Sequence, residues 1–290
     1  RLEEALDDAA EAFVIFRRLG INRNEAQALN LLGVVSAMRG HYEDAVALIR
    51  ASIVLDREIG DRFHLGLKVS NLGQIYAELG DSRESFDFLC WSLEIFGRTD
   101  DPSGKVDALC ALAELLLESA ELERAEGYLD EALQLAEQTG THEDRGRERL
   151  TRARHAHAEG KTERALKLAL EALDHSTEGI DAGLRLEIHA LLAELQALAR
   201  QHEAASASLR ALDSGWIPAM AYRRERVLRS ALASARHLGD AAAWSRYRRL
   251  SKKLAVEGMR KLRGEQFRHT FARSPAVRLC RSLSLSGEKR

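Results

Sequence analysis

The sequence has little of what would bend or cross-link a chain. Only three of its 290 residues are proline, and two of these, Pro102 and Pro218, fall between the repeated units described below, where a break in helix costs nothing. Its three cysteines, Cys90, Cys110 and Cys280, are odd in number and far apart. This disfavours a disulfide framework and a thiolate metal site.

Long apolar runs are also missing. No 18 consecutive residues are apolar, and no positively charged start is followed by an apolar segment. The sequence therefore shows neither a membrane-spanning helix nor a signal peptide. We expect a cytoplasmic protein with reduced thiols.

Motifs of catalysis are scarce too. Gly160-Lys161-Thr162 is similar to the end of a phosphate-binding loop, but His155 stands where that motif requires its first glycine. His155 and His157 are two residues apart and point to different faces of a helix, which disfavours a shared metal ion. No dinucleotide-binding glycine pattern, metalloprotease helix or paired Cys motif is present. We expect no enzyme, no cofactor and no metal.

What the sequence does have is a repeat of forty residues. Three columns keep this period, and each is rich in small residues: Ala5, Ala45, Ser85, Ala125, Ala165 and Ala205; Gly33, Gly73, Ala113, Ala153 and Ala193; Gly40, Gly80, Ala120 and Gly160, before Arg200 breaks the last. Self-similarity at a fixed period of this length predicts an array of one structural unit.

Each unit reads as two amphipathic helices joined by a tight turn. Apolar residues at helical spacing precede and follow Gly40, which stands where the first helix would end. Glycine there adopts a left-handed conformation without strain. Gly33 lies in mid-helix, where glycine costs up to about 1 kcal/mol relative to alanine. We expect it to permit close approach of the helix that contains Ala45.

These motifs resemble the tetratricopeptide repeat. The resemblance rests on Leu32-Gly33 followed by Gly40-His41-Tyr42 and Ala45, and on Leu72-Gly73-Gln74-Ile75-Tyr76 followed by Gly80. It extends from residue 1 to about 215, with a period longer than the usual length of about 34. With this longer period the sequence is similar to the long-repeat variety found in kinesin light chains and in bacterial signalling and transcription regulators. It implies an all-α fold, a right-handed superhelix of about six and a half helix pairs.

The array is predicted to cover residues 1–256, as a half-unit 1–20 and pairs near 24–60, 64–100, 104–140, 144–178, 182–213 and 220–256. Arg152 interrupts a leucine column, so the fifth unit should be the least regular. Residues 257–290 are predicted to form a basic capping helix, with Phe267 and Phe271 on one face, and a tail that is disordered after Leu283. The apolar run Phe13 to Phe16 is unsuited to an exposed end, and no Met precedes it, so we expect a covalently linked upstream domain.

The first helix of each pair lines the concave surface in tetratricopeptide arrays. The resemblance therefore assigns a peptide-binding groove to Asn30, Val34, Met38, Ser70, Asn71, Gln74, Glu78, Asp107, Glu114, Glu118, Arg147, Arg154 and His157. Asn71 resembles the residue that holds the backbone of a bound peptide, since an amide supplies both a donor and an acceptor. The charged members leave two alternatives. They pair with each other, or they face an open groove that accepts a zwitterionic or extended peptide.

Charge is distributed unevenly along the chain. Residues 222–290 hold 19 Lys and Arg against 5 Asp and Glu, whereas the first 221 residues hold 24 against 40. The basic end either docks on the acidic remainder or binds nucleic acid. We therefore expect a non-catalytic scaffold that binds a protein or peptide, the regulatory part of a bacterial kinase or transcription regulator. The alternatives are nucleic-acid binding through the basic end and small-molecule sensing in the groove.

Overall fold

The computed structural model describes residues 2–176, 182–212 and 224–285. Within these ranges the chain forms fifteen α-helices and no strand. The first eight helices are α1 (Leu2–Leu19), α2 (Asn22–Met38), α3 (Tyr42–Ile59), α4 (Arg62–Leu79), α5 (Ser82–Thr99), α6 (Pro102–Glu118), α7 (Leu122–Thr139) and α8 (His142–Ala158). The others are α9 (Thr162–His175), α10 (Ala182–Leu198), α11 (His202–Ala211), α12 (Arg224–Leu238), α13 (Ala241–Lys261), α14 (Glu265–Phe271) and α15 (Pro275–Leu285). After the single helix α1, helices α2 to α13 form six consecutive pairs, as the predicted all-helical repeat fold requires.

A left-handed residue ends the first helix of each of five successive pairs. Gly40, Gly80 and Gly160 have φ of 77°, 84° and 79°. Ala120 and Arg200 adopt the same conformation with φ of 58° and 59°. Arg200 therefore breaks the column of small residues but not the turn itself, because a non-glycine residue enters this region at a modest cost.

The mid-helix glycines permit the predicted close approach. A Cβ atom at Gly33 would lie 2.5 Å from Cγ1 of Ile49 and 3.2 Å from the backbone oxygen of Ala45. Ala45 and Ile49 have no exposed surface. The helix cost of glycine is offset here, because any larger residue would separate α2 from α3.

The chain divides into two compact units. The first contains Arg1–Gly104 and Leu254–Arg278, and the second contains Lys105–Lys253 and Leu279–Arg290. Residues 254–278 thus belong to the first unit, whereas the sequence predicts residues 257–290 as a separate segment. The core of the first unit includes a buried ion pair, in which Lys68 Nζ lies 2.6 Å from Asp56 Oδ2. Burial raises the pKa of Asp56, and Lys68 opposes this shift.

The second unit has a core rich in alanine. Ala165, Ala169 and Ala172 of α9 are fully buried against Leu150 and neighbouring aliphatic residues. The fifth unit, expected to be the least regular, keeps the period at its start, because α8 begins at His142, forty residues after α6. Its second helix is shorter, with 14 residues in α9 against 18 in each of α3, α5 and α7. Arg152 lies where a leucine would continue the column, and it donates to the backbone oxygen of Leu129 at 2.6 Å. Buried polar groups are tolerated when they are hydrogen-bonded in this way.

Two further expectations concern the described residues. The three cysteines, all within them, form no disulfide bond. Helix α15 continues to Leu285, two residues past the predicted start of disorder at Leu283, and residues 286–290 lie outside the described part. In the ranges that the structure describes, no helix is long and apolar enough to cross a membrane.

Candidate functional site

In the first unit, polar side chains join the first helices of two neighbouring pairs, α2 and α4. Asn71 Nδ2 donates to Asn30 Oδ1 at 3.1 Å. Gln27 Nε2 lies 3.2 Å from His64 Nε2, and the other ring nitrogen of His64 lies 2.9 Å from Asp61 Oδ2. A ring that donates from Nδ1 to Asp61 accepts at Nε2 from Gln27. The two helices are therefore joined by two rungs, which lie about one turn apart on α2 and about two turns apart on α4.

The asparagine rung has unused hydrogen-bonding capacity. The bond uses Asn71 Nδ2 and Asn30 Oδ1. Within the described residues, the remaining amide atoms, Asn30 Nδ2 and Asn71 Oδ1, make no hydrogen bond. Asn71 is 9% exposed, and Asn30 is half-buried. Together the two side chains offer one donor group and one acceptor, which is what a single peptide group requires.

Exposed apolar side chains accompany this rung. Leu31 follows Asn30 directly and is 49% exposed, and Leu67 lies one turn before Asn71 and is 50% exposed. Phe63, a further turn back on α4, is 60% exposed. We call Asn30, Leu31, Leu67 and Asn71 the amide stripe. Two of its members are amides, two are exposed leucines, and none is charged.

The other predicted residues of the first unit range from buried to partly buried, as Asn71 and Asn30 do. Val34, Met38 and Gln74 are partly buried. Ser70 and Glu78 are 4% and 8% exposed, close to the 9% of Asn71. Among the residues assigned to the groove here, a side-chain hydrogen bond joins Asn30 to Asn71.

The second unit presents a different face, in which the predicted charged residues bind each other. Arg154 on α8 donates to Glu114 on α6, and its second terminal nitrogen lies 2.6 Å from Glu187 on α10. Arg226 on α12 donates to Glu114 at 2.6 Å and to Glu118 at 3.0 Å. We call these five residues the ion cluster. Glu114 and Glu187 are each only 4% exposed.

Charge interactions shift the pKa values around this cluster. Burial alone would lower the pKa of Arg226, but the carboxylates of Glu114 and Glu118 raise it well above its usual value. His157 lies 3.6 Å from Glu194. The hydrogen bond to Glu194 raises the pKa of His157 and outweighs the opposing effect of burial.

The structure thus decides between the two alternatives for the charged residues. Arg154 pairs with Glu114, and Arg147 Nε lies 2.5 Å from Asp107 Oδ1. Sequence reasoning missed Glu187 and Arg226, because no column relates α12 to the acids of α6. These residues neutralise each other and do not form an open charged groove.

A cavity of about 200 Å³ lies in the second unit, lined among others by Arg145, Arg149, Glu148 and His175. Arg149 already binds Glu148 at 2.8 Å and Glu171 at 3.1 Å. Mixed charges of this kind favour no single class of ligand. Nowhere in the three described ranges do three or more His, Cys, Asp or Glu side chains converge to hold a metal ion.

Comparison with known proteins supports the fold. The sequence matches no protein-family model, and no curated protein matches it. Among solved structures it is similar to NprR in complex with its cognate peptide NprX, with a TM-score of 0.64, 15% identity, and coverage of 97% of this chain and 80% of that one. A Rap protein complexed with Competence and Sporulation Factor gives a TM-score of 0.60 at 14% identity, covering 99% and 86%. BtubC (BKLC) from P. vanneervenii gives 0.59 at 20% identity, covering 73% and 89%.

These likenesses show the fold, a helical repeat of the tetratricopeptide type. Identities of 14% to 20% are too low to transfer residue roles from any of the three. What this chain binds must therefore be argued from its own side chains.

Proposed function

We propose that this chain is a non-catalytic scaffold of the tetratricopeptide type that binds an extended peptide or protein segment on the amide stripe. The observation that carries the proposal is the Asn30–Asn71 rung. Its spare donor and acceptor match the C=O and N–H of one backbone peptide group, whatever side chain that residue has. Leu31 and Leu67 would contact apolar side chains of the guest, since each exposes about half of its surface.

The structural neighbours support the class of ligand. Two of them were solved with a peptide or a signalling factor bound, NprX on NprR and Competence and Sporulation Factor on a Rap protein. The proposal places this chain in the same functional class, as the regulatory part of a larger bacterial cytoplasmic signalling protein with a covalently linked upstream domain. The remaining predicted groove residues, from Val34 to His157, are secondary candidates for contact.

The ion cluster argues against a highly charged guest in the second unit. Its arginines are already bound to glutamates, and an incoming carboxylate would have to replace one of these partners. We propose instead that the guest contacts the first unit through backbone and apolar groups. Nucleic-acid binding through the basic C-terminal region and small-molecule sensing remain the rival functions.

Asparagine composition makes a sharp test possible. The chain contains only four asparagines, Asn22, Asn24, Asn30 and Asn71. Protein labelled with ¹⁵N at asparagine alone therefore gives four side-chain amide signals, of which two belong to the stripe and two serve as internal references. Peptides selected from a random library for binding to the full chain would be titrated into this sample. We expect them to shift Asn30 and Asn71 and to leave Asn22 and Asn24 unchanged.

Asn71→Ala is the matched variant. Alanine is natural at the same register one unit later, at Ala111, so the fold should accept it. We expect the variant to lose about tenfold in peptide affinity, the value of one good polar contact to the backbone. Selected peptides that bind Asn71→Ala as tightly as the wild type would refute the site. Binding of nucleic acid that weakens steeply with salt would favour that rival, and thermal stabilisation by a metabolite would favour the sensor.

A further inference from the structure

Residues 254–278, which we call the strap, return to the first unit and cover the turn between α2 and α3. Lys261 Nζ donates to the backbone oxygen of Arg39, at the end of α2. Glu43, in the first turn of α3, accepts from the backbone nitrogens of Arg263 at 2.6 Å and Gly264 at 2.7 Å. Glu43 thereby binds the backbone just where helix α14 begins.

An aromatic contact anchors the middle of the strap. The Phe271 ring lies 5.6 Å from the Tyr42 ring and is 1% exposed. Gly258 makes room for it, because a Cβ atom there would lie 2.4 Å from Cζ of Phe271. The side chain is therefore enclosed by α3 on one side and by the end of α13 on the other.

The end of the strap reaches the next turn, between α4 and α5. Ser274 is fully buried, and a Cβ atom at Gly80 would lie 2.7 Å from its Cα atom. Helix α14 also packs against α4. A single segment of chain thus contacts the turns of two successive helix pairs, those at Gly40 and Gly80.

These two turns end the helices that supply the asparagine rung. Asn30 lies ten residues before Gly40 and Asn71 nine before Gly80, about 14 to 15 Å along each helix axis. Helices of this length are stiff, so holding their ends together also sets the spacing further along. We infer that the strap is a positioning element for the amide stripe, which keeps Asn30 and Asn71 within hydrogen-bonding distance. Its role in ligand binding rests on the function proposed above.

Two pairs of matched variants isolate this effect. Glu43→Ala removes the acceptor for the strap, and Glu123→Ala removes the acid at the same register of α7, which is exposed. Gly80→Ala places a methyl group against Ser274. Gly60→Ala imposes similar backbone strain, because Gly60 has φ of 73°, but its added Cβ atom meets nothing within 4 Å.

The readout is the same asparagine-labelled spectrum, recorded without any ligand. If the strap positions the stripe, Glu43→Ala and Gly80→Ala should move the Asn30 and Asn71 side-chain signals while Asn22 and Asn24 stay in place. Glu123→Ala and Gly60→Ala should leave all four side-chain signals unchanged. Circular dichroism would confirm that each variant remains helical.

A selected peptide that depends on Asn71 supplies the second measurement. Its affinity should fall about tenfold in both strap variants and stay constant in both controls. Unmoved Asn30 and Asn71 signals in the strap variants would overturn the inference, with or without a peptide. Moved signals with unchanged peptide affinity would overturn the link to binding. If no peptide depends on Asn71, the proposed function fails while the ligand-free spectra still decide whether the strap positions the rung.

Discussion

Arg226 donates to Glu114 at 2.6 Å, although 112 residues separate them in the sequence. The contact joins α12 to α6, which belong to pairs three apart in chain order. Arg226 is 16% exposed and binds Glu118 as well. The second unit is therefore held together on the face of its first helices by charge, in addition to the alanine-rich packing between its helices.

Removing Arg226 should destabilise the second unit. Arg226→Ala leaves Glu114, 4% exposed, with one cation fewer, and breaking a buried pair in this way costs at least about 2 kcal/mol. Arg229→Ala on the same helix is the control. Arg229 is 53% exposed, and its ion pair with Glu225 is long at 3.9 Å. Its cost should stay below about 1 kcal/mol. Urea unfolding of the two variants provides the measurement, and equal losses would show that Arg226 contributes no more than a surface residue.

The Lys68–Asp56 pair makes a different prediction for the first unit. Both side chains are almost fully buried, at 2% and 0% exposure. Lys68→Met should cost about 3 to 5 kcal/mol, because it leaves a buried carboxylate without its cation. The double variant Lys68→Met/Asp56→Leu should recover most of this loss, since apolar residues can replace a buried pair at little cost. Thermal melts of the wild type and both variants give their relative stabilities. A double variant that is less stable than Lys68→Met would contradict the prediction.

His157 should make stability depend on pH. Its pKa is raised in the folded state by Glu194, so folding favours the protonated ring. The stability that protonated His157 contributes is fully present below the ordinary histidine pKa of 6.5. It is lost as the pH rises through the raised pKa of the folded state. The difference in unfolding free energy between wild type and His157→Gln should therefore be largest below pH 6.5 and shrink above it. A difference that grows with pH would contradict the assignment.

Two helical glycines should respond oppositely to alanine. Gly127 on α7 has open space around it, so Gly127→Ala should stabilise the protein by up to about 1 kcal/mol. Gly258→Ala gains the same helix propensity but places its methyl group against Phe271. We expect it to lower the melting temperature, with the loss confined to the first unit in hydrogen exchange. A stabilised Gly258→Ala would show that the strap is loosely packed.

Much of the fold follows from local sequence because each helix pair uses the same few positions. The turn at Gly40 and the close contact at Gly33 could both be predicted from the sequence, because each requires a small residue in most of the repeated helix pairs. Arg200 shows the limit of such reasoning, because the turn persists although its residue does not. Arg152 shows another, because a buried arginine is explained only by the oxygens that surround it.

The site was less predictable. Asn71 stood out as an amide in the register of a tetratricopeptide groove, and its bond to Asn30 joins two residues that were both among the candidates. Arg226 had no such signal, because its partners lie on a helix more than a hundred residues away. Contacts between distant helices depend on how the pairs stack, which no single repeat encodes. For the same reason the sequence predicts a capping helix at residues 257–290 but not the turns on which the strap packs.

The strap also has a consequence for the order in which the protein is made. Lys261 leaves the ribosome 222 residues after Arg39, the residue whose carbonyl group it binds. At about 5 to 20 residues per second, that interval lasts roughly 10 to 45 s. Throughout this time the early turns around Tyr42 and Gly80 lack their cover, while residues 105–253 of the second unit are being synthesised. The first part of the chain to emerge is thus among the last to be completed, and a nascent chain stalled before residue 254 would present an unfinished edge to chaperones.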